Sequence, residues 1–417
     1  MVNQSPQGSG GAALLRIGSG EFVALVAALM AINSLGVDIM LAALPEMAAT
    51  LHIEHANDRQ WIISAYALAF GVGHLFFGPL ADRYGRKPVL IASLSVFTVT
   101  SVVAVFADTF DTMLIARAAQ GFSIAASRVL CISIVRDRYS GRQMARIMSL
   151  ATAIFLMVPI LAPAIGQMVL LIAPWPAIFF VLALFGALLT GWIALRLPET
   201  LREDSRVRIH IGALASAARS VITNRHSMGY TISVTFLFGT VIGFINSAQQ
   251  LFFDTFNIAE LFVIAFAGIS IFMIIAAYVN SRVVMRLGTH VVSHAALLGF
   301  ILLSALHLLV AWMGFEVLWT FVLLQGLTSF CCSLAASNFG AMAMEPMGHI
   351  AGTAASIQGG IVMAGSALIG TVIGQCFDGT VLPLLTGFLA MGVSALAAVL
   401  VTERGRLFDE RVATVTP

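Results

Sequence analysis

The stretch GPLADRYGRKPVL, from Gly78 to Leu90, separates two long apolar segments and contains one acid and three basic residues. Gly78 allows two helices to approach each other closely, and Gly85 permits a tight reversal of the backbone. Asp82 is suited to accept hydrogen bonds from a helix N-terminus or to pair with a cation. The stretch therefore predicts a short charged loop between two closely packed helices.

The composition places these helices in a membrane. Of the 417 residues, 59% are hydrophobic and 10% are charged, whereas a soluble domain carries about 25% charged residues. A spanning helix needs roughly 20 mostly apolar residues, and no segment shows the alternating polarity of a membrane β-barrel strand. The apolar runs lie near 22–44, 60–80, 88–107, 112–135, 147–172, 176–196, 227–252, 261–284, 290–313, 317–342, 351–376 and 381–402. The sequence therefore predicts an all-α membrane protein with twelve transmembrane helices.

The positive charges fall on one side of the predicted membrane. If the N-terminus is cytoplasmic, the loops on the other side hold mainly acids and a single basic residue, Arg59. The basic residues on the cytoplasmic side are Arg83, Arg86, Lys87, Arg136, Arg138, Arg142, Arg146, Arg202, Arg206, Arg208, Arg282, Arg286, Arg404 and Arg406. This positive-inside asymmetry predicts that both termini are cytoplasmic.

The longest polar interruption divides six spans from six. The predicted units are a flexible cytoplasmic tail at 1–20, an N-terminal six-helix bundle at 21–197, a cytoplasmic central loop at 198–225, a C-terminal six-helix bundle at 226–403 and a tail at 404–417. Residues 206–225 are able to form an amphipathic helix on the inner membrane surface. A six-plus-six arrangement is typical of transporters whose substrate site lies between the halves, although channels and membrane enzymes also have twelve spans.

The sequence shows no motif for phosphate binding, nucleophilic catalysis or a metal site, and nothing that indicates nucleic-acid binding. The four cysteines, Cys131, Cys331, Cys332 and Cys376, all fall within predicted spans and lack metal-ligand spacing, so packing is their simplest role. We therefore expect neither an enzyme nor a cofactor, and an ion gradient rather than ATP as the energy source.

The loop from Gly78 to Leu90 resembles the signature of the major facilitator superfamily at nearly every position. RAAQGFSIAAS, from Arg117 to Ser127, resembles the fourth-span motif of proton-driven drug exporters. With GVDIMLAALPEM, VPILAPAIG and MEPMGHIAGTAASIQG, the chain resembles the bicyclomycin/chloramphenicol resistance (Bcr/CflA) group of drug:proton antiporters. The resemblance covers most of the chain, and it is dense in the first half and around residues 338–360.

This resemblance implies a multi-pass protein of the bacterial inner membrane with the major facilitator fold, functional as a monomer. The implied activity is proton-coupled export of small, largely apolar drug-like compounds by alternating access, which would confer antibiotic resistance. Proton-coupled import of a small metabolite on the same fold is the alternative, and the direction of substrate-induced proton flux separates the two.

The resemblance also implies a conformational latch at one end of the bundle. Its residues are Gly78, Asp82, Arg83, Gly85, Arg86 and Asp137, with Arg86 placed to reach Asp137 at the inner end of the fourth span. The alternative is that the basic residues serve only as topology anchors. The second-half counterpart, VNSRVVMRLG, has Met285 where the aspartate would stand, so we expect an asymmetric latch.

Small residues and prolines predict tight helix packing. The residues expected in this role are Gly121, Pro159, Pro163, Gly166, Gly370 and Gly374. The fifth span departs from the exporter pattern, because Ala162 and Gln167 stand where glycines are common. The two prolines of that span free backbone groups and favour a bend.

Asp38 and Arg117 are ionisable groups placed deep in predicted spans, which is costly and usually functional. At 1.5 Å per residue they lie about 10 Å and 9 Å from the same membrane edge. Asp38 is the expected proton-coupling and substrate-coupling residue, with Arg117 tuning it. The alternatives are that Asp38 only fixes helix packing and that Arg117 satisfies carbonyls at the end of the first span.

Polar and aromatic residues within other spans are candidates for the substrate cavity. They are Tyr66, Gln120, Arg128, Asn246, Gln249 and Asn338, in addition to Asp38. Arg128 is either a cavity contact for a polar or anionic group or a side chain that extends towards the cytoplasm. One sequence does not show which of these side chains face the cavity.

Overall fold

The computed structural model describes residues 17–201, 204, 206 and 211–408, and every regular element in this part of the chain is helical. Twelve helical segments there are long and apolar enough to cross a membrane. The predicted class, an all-helical membrane protein with twelve spanning helices, is therefore confirmed. Most of the predicted tail at 1–20, the last part of the tail at 404–417, and Arg202 and Arg208 of the central loop lie outside the described residues.

The first half contains seven helices, two of which belong to the first span. They are α1 (Ser19–Asp38), α2 (Leu44–Thr50), α3 (Trp61–Tyr84), α4 (Arg86–Val105), α5 (Phe110–Arg138), α6 (Gly141–Leu170) and α7 (Pro176–Arg196). The linker forms α8 (Ile211–Thr223). The second half contains α9 (Arg225–Gln250), α10 (Phe262–Leu287), α11 (Thr289–Trp312), α12 (Leu318–Met344), α13 (Ala351–Gln375) and α14 (Leu382–Thr402).

The spanning helices alternate in direction, so α1 begins and α14 ends at the same end of the bundle. We call this the terminal end and the opposite one the distal end. Large apolar side chains such as Ile115, Leu195 and Trp312 are exposed on the outside of the bundle. Lipid tails are as apolar as these side chains, so their exposure is not costly in a bilayer. The outer face of the bundle therefore fits a membrane-embedded surface.

The first predicted span, 22–44, is not a single helix. The helix α1 ends at Asp38, a 3₁₀ turn follows at residues 41–43, and α2 starts at Leu44. Pro45 has no N–H group and favours the first turn of a helix, so the chain restarts there as α2. Asp38 therefore lies at the end of a helix, where the last carbonyl groups have no intrahelical partner.

The two halves contact each other through their second and fifth spanning helices. The helix α3 packs along α13, and α6 packs against α10. Each contact joins the second helix of one half to the fifth of the other, as in a pseudo-twofold arrangement. A Cβ atom on Gly71 of α3 would collide with the backbone of Ala364 on α13, so glycine sets the closeness of this contact.

The loop between α3 and α4 has a structural counterpart in the second half. Gly85 between α3 and α4 has φ +100°, and Gly288 between α10 and α11 has φ +79°. Both values are strained for any residue with a side chain. The reversal is thus repeated in both halves, even though the aspartate is present in only one of the two loops.

The linker helix α8 packs on protein rather than standing alone. Its residues Ala217 and Val221 are buried against Met347, Ala354 and Ile357 of the second half, while Arg219 on the same helix is exposed. The amphipathic helix predicted within 206–225 is present, and its apolar side contacts the terminal end of α13.

Candidate functional site

The end of α1 brings Asp38 and Arg117 into one buried site. Asp38 is 3% exposed and accepts a hydrogen bond of 2.8 Å from the hydroxyl of Ser34, one helical turn earlier. Two residues before Asp38, the carbonyl oxygen of Gly36 accepts a hydrogen bond of 3.0 Å from Arg117. Among the described residues, Asp38 and Arg117 are neighbours of the same helix end and do not form an ion pair.

Arg117 is fully buried and is held by three helices. Its Nε donates to the carbonyl of Ile62 at 3.0 Å, and its other terminal nitrogen donates to Gln120 at 2.8 Å. The guanidinium carbon lies 4.4 Å from the ring centroid of Tyr66, a cation–π contact. Arg117 thus caps a carbonyl group at the end of α1, the structural alternative that the sequence left open, whereas tuning of Asp38 stays a prediction.

Tyr66 begins a row of rings along α3. Its hydroxyl donates to the carbonyl of Asn33 at 3.1 Å, which ties α3 to α1. Its ring stacks on Phe70 at 6.3 Å, and Phe70 meets His74 edge-on at 4.4 Å. Because these residues are four apart, they share one face of the helix. Tyr66 and Arg117 together surround the end of α1 where Asp38 lies.

Two of the predicted cavity residues form hydrogen bonds to side chains of their own half. Gln120 accepts from Arg117 and donates to Ser101 on α4 at 2.8 Å. Asn338 donates to Asn280 on α10 at 2.8 Å, within the second half. These contacts give both residues a packing role in this conformation. Arg128 is half-buried on α5, ten residues or about 15 Å before the helix end.

Of the other two polar candidates, Asn246 lies at the interface between the halves and Gln249 is buried on α9. Asn246 donates to the hydroxyl of Ser64 on α3 at 3.2 Å, a contact between the halves. Gln249 is 1% exposed, and neither polar atom of its amide has a hydrogen-bond partner among the described residues. Burying an unpaired amide costs free energy, so Gln249 is suited to bind a polar group that enters the bundle.

The latch residues form a charged cluster at the terminal end. Arg86 pairs with Asp82 at 2.6 Å and with Asp137 at 3.2 Å, the contact expected from the sequence, whereas the latch role stays a prediction. Gly78 lies against Ser356 of α13, across the interface between the halves. Arg83 is exposed and lies over the ring of Tyr84, outside the cluster, as the anchor alternative expects.

Sequence reasoning missed the residue that completes this cluster, Glu199. Its carboxylate accepts hydrogen bonds from the backbone N–H groups of Arg86 at 2.9 Å and Lys87 at 3.2 Å, so it caps the N-terminus of α4. The ammonium of Lys87 donates to the carbonyl of Ala194 near the end of α7, at 2.8 Å. The sequence signal for this role was an acid directly after the sixth span, on the same side of the membrane as the loop from Gly78 to Leu90.

The glycines expected to pack helices leave no room for a side chain. A Cβ atom on Gly121 would collide with the carbonyl of Tyr66, and one on Gly166 with the carbonyl of Ile39. Gly370 meets α9, and Gly374 meets the side chain of Gln60 across the interface between the halves. Pro159 and Pro163 lie inside α6, which continues through both. Cys376, expected inside a span, is exposed just after α13.

A twelve-helix bundle of two halves, with a buried carboxylate beside a buried guanidinium, defines a polytopic membrane protein of the transporter class. The sequence model of the family described as Major Facilitator Superfamily matches residues 26–371 of the chain. The chain belongs to this superfamily.

Relatives in this superfamily carry names that refer to drug resistance. A bicyclomycin resistance protein homolog of Haemophilus influenzae is 28% identical over 388 residues, which cover 92% of this chain and 96% of the relative. Multidrug resistance protein D of Escherichia coli K12 is 26% identical, with 82% and 86% covered. The structure of the human organic anion transporter MFSD10 (TETRAN) aligns with a TM-score of 0.60 at 17% identity, covering 91% of this chain and 98% of that one; this likeness concerns the fold.

Proposed function

We propose that this transporter exports small, largely apolar drug-like compounds from the bacterial cytoplasm in exchange for protons, by alternating access across the inner membrane. The observation that carries the proposal is Asp38, a carboxylate buried at the end of α1 with a hydroxyl as its hydrogen-bond donor. Full-length relatives named for bicyclomycin and multidrug resistance support drug-like substrates. The basic residues at the terminal end support a cytoplasmic location for that end.

Burial links the Asp38 carboxylate to proton movement. Taking a carboxylate from water into an apolar interior penalises its charged form, so proton binding is coupled to the access of water. When the site opens to the outside, Asp38 binds a proton and the compound leaves. When the site opens to the cytoplasm, Asp38 releases the proton and the next compound binds. Arg117 keeps the end of α1 in place during both steps.

The first test is efflux of tetraphenylphosphonium and of chloramphenicol from a pump-deficient bacterium that expresses the unmodified protein or Asp38→Asn. The variant keeps the hydrogen-bonding shape but cannot ionise, so we expect loss of proton-driven efflux at equal expression. Asp111→Asn, which alters an exposed acid at the start of α5, is the matched control and retains efflux. Proton-dependent efflux that persists in Asp38→Asn removes the coupling assignment.

The second test gives the direction of exchange. In inverted vesicles with an acidic lumen, antiport of an added compound moves protons out of the lumen, and a lumenal pH dye reports it. Proton movement in the same direction as the compound would favour the importer alternative.

A further inference from the structure

The residues directly after α14 turn back onto the second half. We call residues 404–408 the C-terminal clasp. Arg404 and Gly405 have positive φ values, 55° and 78°, and the N–H of Gly405 donates to the carbonyl of Leu400 at 2.9 Å. Leu407 packs against the hydrophobic core. The turn at Arg404 and Gly405 thus directs the clasp towards α11.

Phe408 fastens the clasp to His294 on α11. Its backbone N–H donates to Nδ1 of His294 at 3.1 Å, and its ring meets the imidazole edge-on, with 5.7 Å between the centroids. His294 is 1% exposed, and its ring also contacts Phe339 of α12 at 6.1 Å. One buried imidazole therefore joins the clasp to two spanning helices.

The hydrogen bond from Phe408 fixes the protonation state of His294. A backbone N–H is only a donor, so the Nδ1 atom that it reaches is the acceptor and carries no proton. The proton of the neutral ring then lies on Nε2, which is buried and has no hydrogen-bond partner among the described residues. A charged imidazole carries protons on both nitrogens, which would place two donors face to face at the clasp. Docking of the clasp and proton binding at Nδ1 therefore exclude each other.

The titratable groups around His294 come from three helices. On α11 itself, His290 lies one turn earlier, with 5.8 Å between the ring centroids. Glu403, directly after α14, is 2% exposed and acts on His294 electrostatically. From α9, the hydroxyl of Tyr230 donates to the Glu403 carboxylate, and Nδ1 of His226 lies 3.6 Å from it. The contact from α12 is an uncharged aromatic ring, so Glu403 is the acid of this cluster.

The charges of the cluster and the clasp favour release in acid. The clasp carries two exposed cations, Arg404 and Arg406, which add to the positive charge of a protonated His294. A charged imidazole that stays buried costs free energy, whereas release of the clasp lets water reach it. Because the released state binds one proton more than the docked state, lowering the pH favours release.

We propose that the C-terminal clasp is a pH-sensitive switch, in which protonation of His294 from the terminal side releases residues 404–408 from α11 and deprotonation docks them again. The docked clasp ties the end of α14 to α11, so release loosens the terminal end of the second half. The switch lies within one half and does not depend on which compound is transported. Under the proposed antiport, protons are delivered to this side, so the clasp would respond to transport itself.

The test follows the clasp in the purified full-length protein in detergent. A nitroxide spin label is attached at Arg406→Cys, an exposed position of the clasp, in a background whose four native cysteines are replaced by alanine or serine. Electron paramagnetic resonance gives the ratio of mobile to immobile label between about pH 7.5 and about pH 5.5, which bracket the ordinary imidazole pKa of about 6.5. We expect this ratio to rise about tenfold, the change for one imidazole that binds a proton only when the clasp is released.

His294→Asn is the deciding variant. Its amide oxygen can accept the hydrogen bond from Phe408 close to the position of Nδ1, but the amide does not titrate. We therefore expect a docked clasp and a ratio that does not change with pH. The matched control, His290→Asn, removes a titratable neighbour on the same helix and keeps the tenfold response. His294→Ala removes the acceptor and leaves the label mobile at both pH values.

A label at Arg406→Cys that is equally immobile at both pH values overturns the proposal. A pH response that persists in His294→Asn also overturns it, because another group would then drive release. Fluorescence-detected size exclusion at both pH values checks folding, and a response that coincides with loss of the folded peak counts against the switch. Drug efflux from cells tests the proposed function alone, so its absence removes that proposal and leaves the switch in place.

Discussion

Arg117 shows how a buried cation is accommodated without a carboxylate partner among the described residues. Two backbone carbonyls and the Gln120 amide oxygen accept its hydrogen bonds, and the face of Tyr66 lies beneath its charge. A guanidinium is a planar fork with five donors, whereas an ammonium is a compact point charge with three. The site is therefore built for arginine specifically, and Arg117 fixes the relative positions of α1, α3 and α5.

At this scale we predict that Arg117→Lys destabilises the protein by about 2–4 kcal/mol, because the buried charge loses most of its acceptors. Thermal unfolding in detergent, followed by fluorescence-detected size exclusion, gives the change in melting temperature. Arg219→Lys, at an exposed position on α8, is the matched control. Equal melting temperatures for Arg117→Lys and the unmodified protein would contradict this account.

At the scale of the element, glycines decide how closely helices approach. Gly166 lets α6 lie directly on the carbonyl of Ile39, immediately after the end of α1. A methyl group there must push α6 away from the helix end that carries Asp38, since backbone atoms cannot yield as a flexible side chain does. By contrast, a Cβ atom on Gly191 of α7 meets nothing within 4 Å.

We therefore predict opposite effects for the same substitution in two helices. Gly166→Ala lowers the stability by about 1–3 kcal/mol through overpacking and also reduces efflux, because the end of α1 is displaced. Gly191→Ala leaves stability unchanged or raises it slightly, since alanine favours a helix over glycine. Melting temperatures and efflux rates of the two variants are compared, and a stable, active Gly166→Ala would refute the packing argument.

At the scale of the whole molecule, the charged cluster around Arg86 lies beside the contact between α3 and α13. Arg86 holds α3, α5 and the segment after α7 together through Asp82, Asp137 and Glu199. Gly78, at the same end of α3, touches α13 of the other half. Under the proposed alternating access, the cluster keeps one side of the interface rigid while the halves change orientation.

The corresponding prediction concerns Asp82→Asn, which removes a charge that pairs with Arg86 at 2.6 Å. We expect slower turnover in efflux assays, with equilibrium binding of tetraphenylphosphonium to the purified protein largely retained. Asp111→Asn serves again as the exposed control. A large loss of binding with normal turnover per bound compound would contradict the latch interpretation.

The sequence predicted well what depends on local composition. All twelve spans were predicted because an apolar run of about 20 residues has few possible structures other than a spanning helix. The contact between Arg86 and Asp137 followed from the motif between the second and third spans. The break after Asp38 was missed, although Pro45 marked it, because hydropathy alone does not register a helix end. Glu199 was not recognised, since its partners at the start of α4 are more than a hundred residues away in the chain and charged residues in loops are common.

Lys87 gives the protein an unusual chemical property. It is the only lysine in the chain, and its ammonium lies against Ala194 at the terminal end, next to the charged cluster. Apart from any chain terminus, amine-directed reagents therefore have one attachment point, with no engineering of the sequence. A fluorophore coupled there marks a single defined position beside the α3–α4 reversal of the first half, so bioconjugation of the natural chain places an optical probe next to the charged cluster.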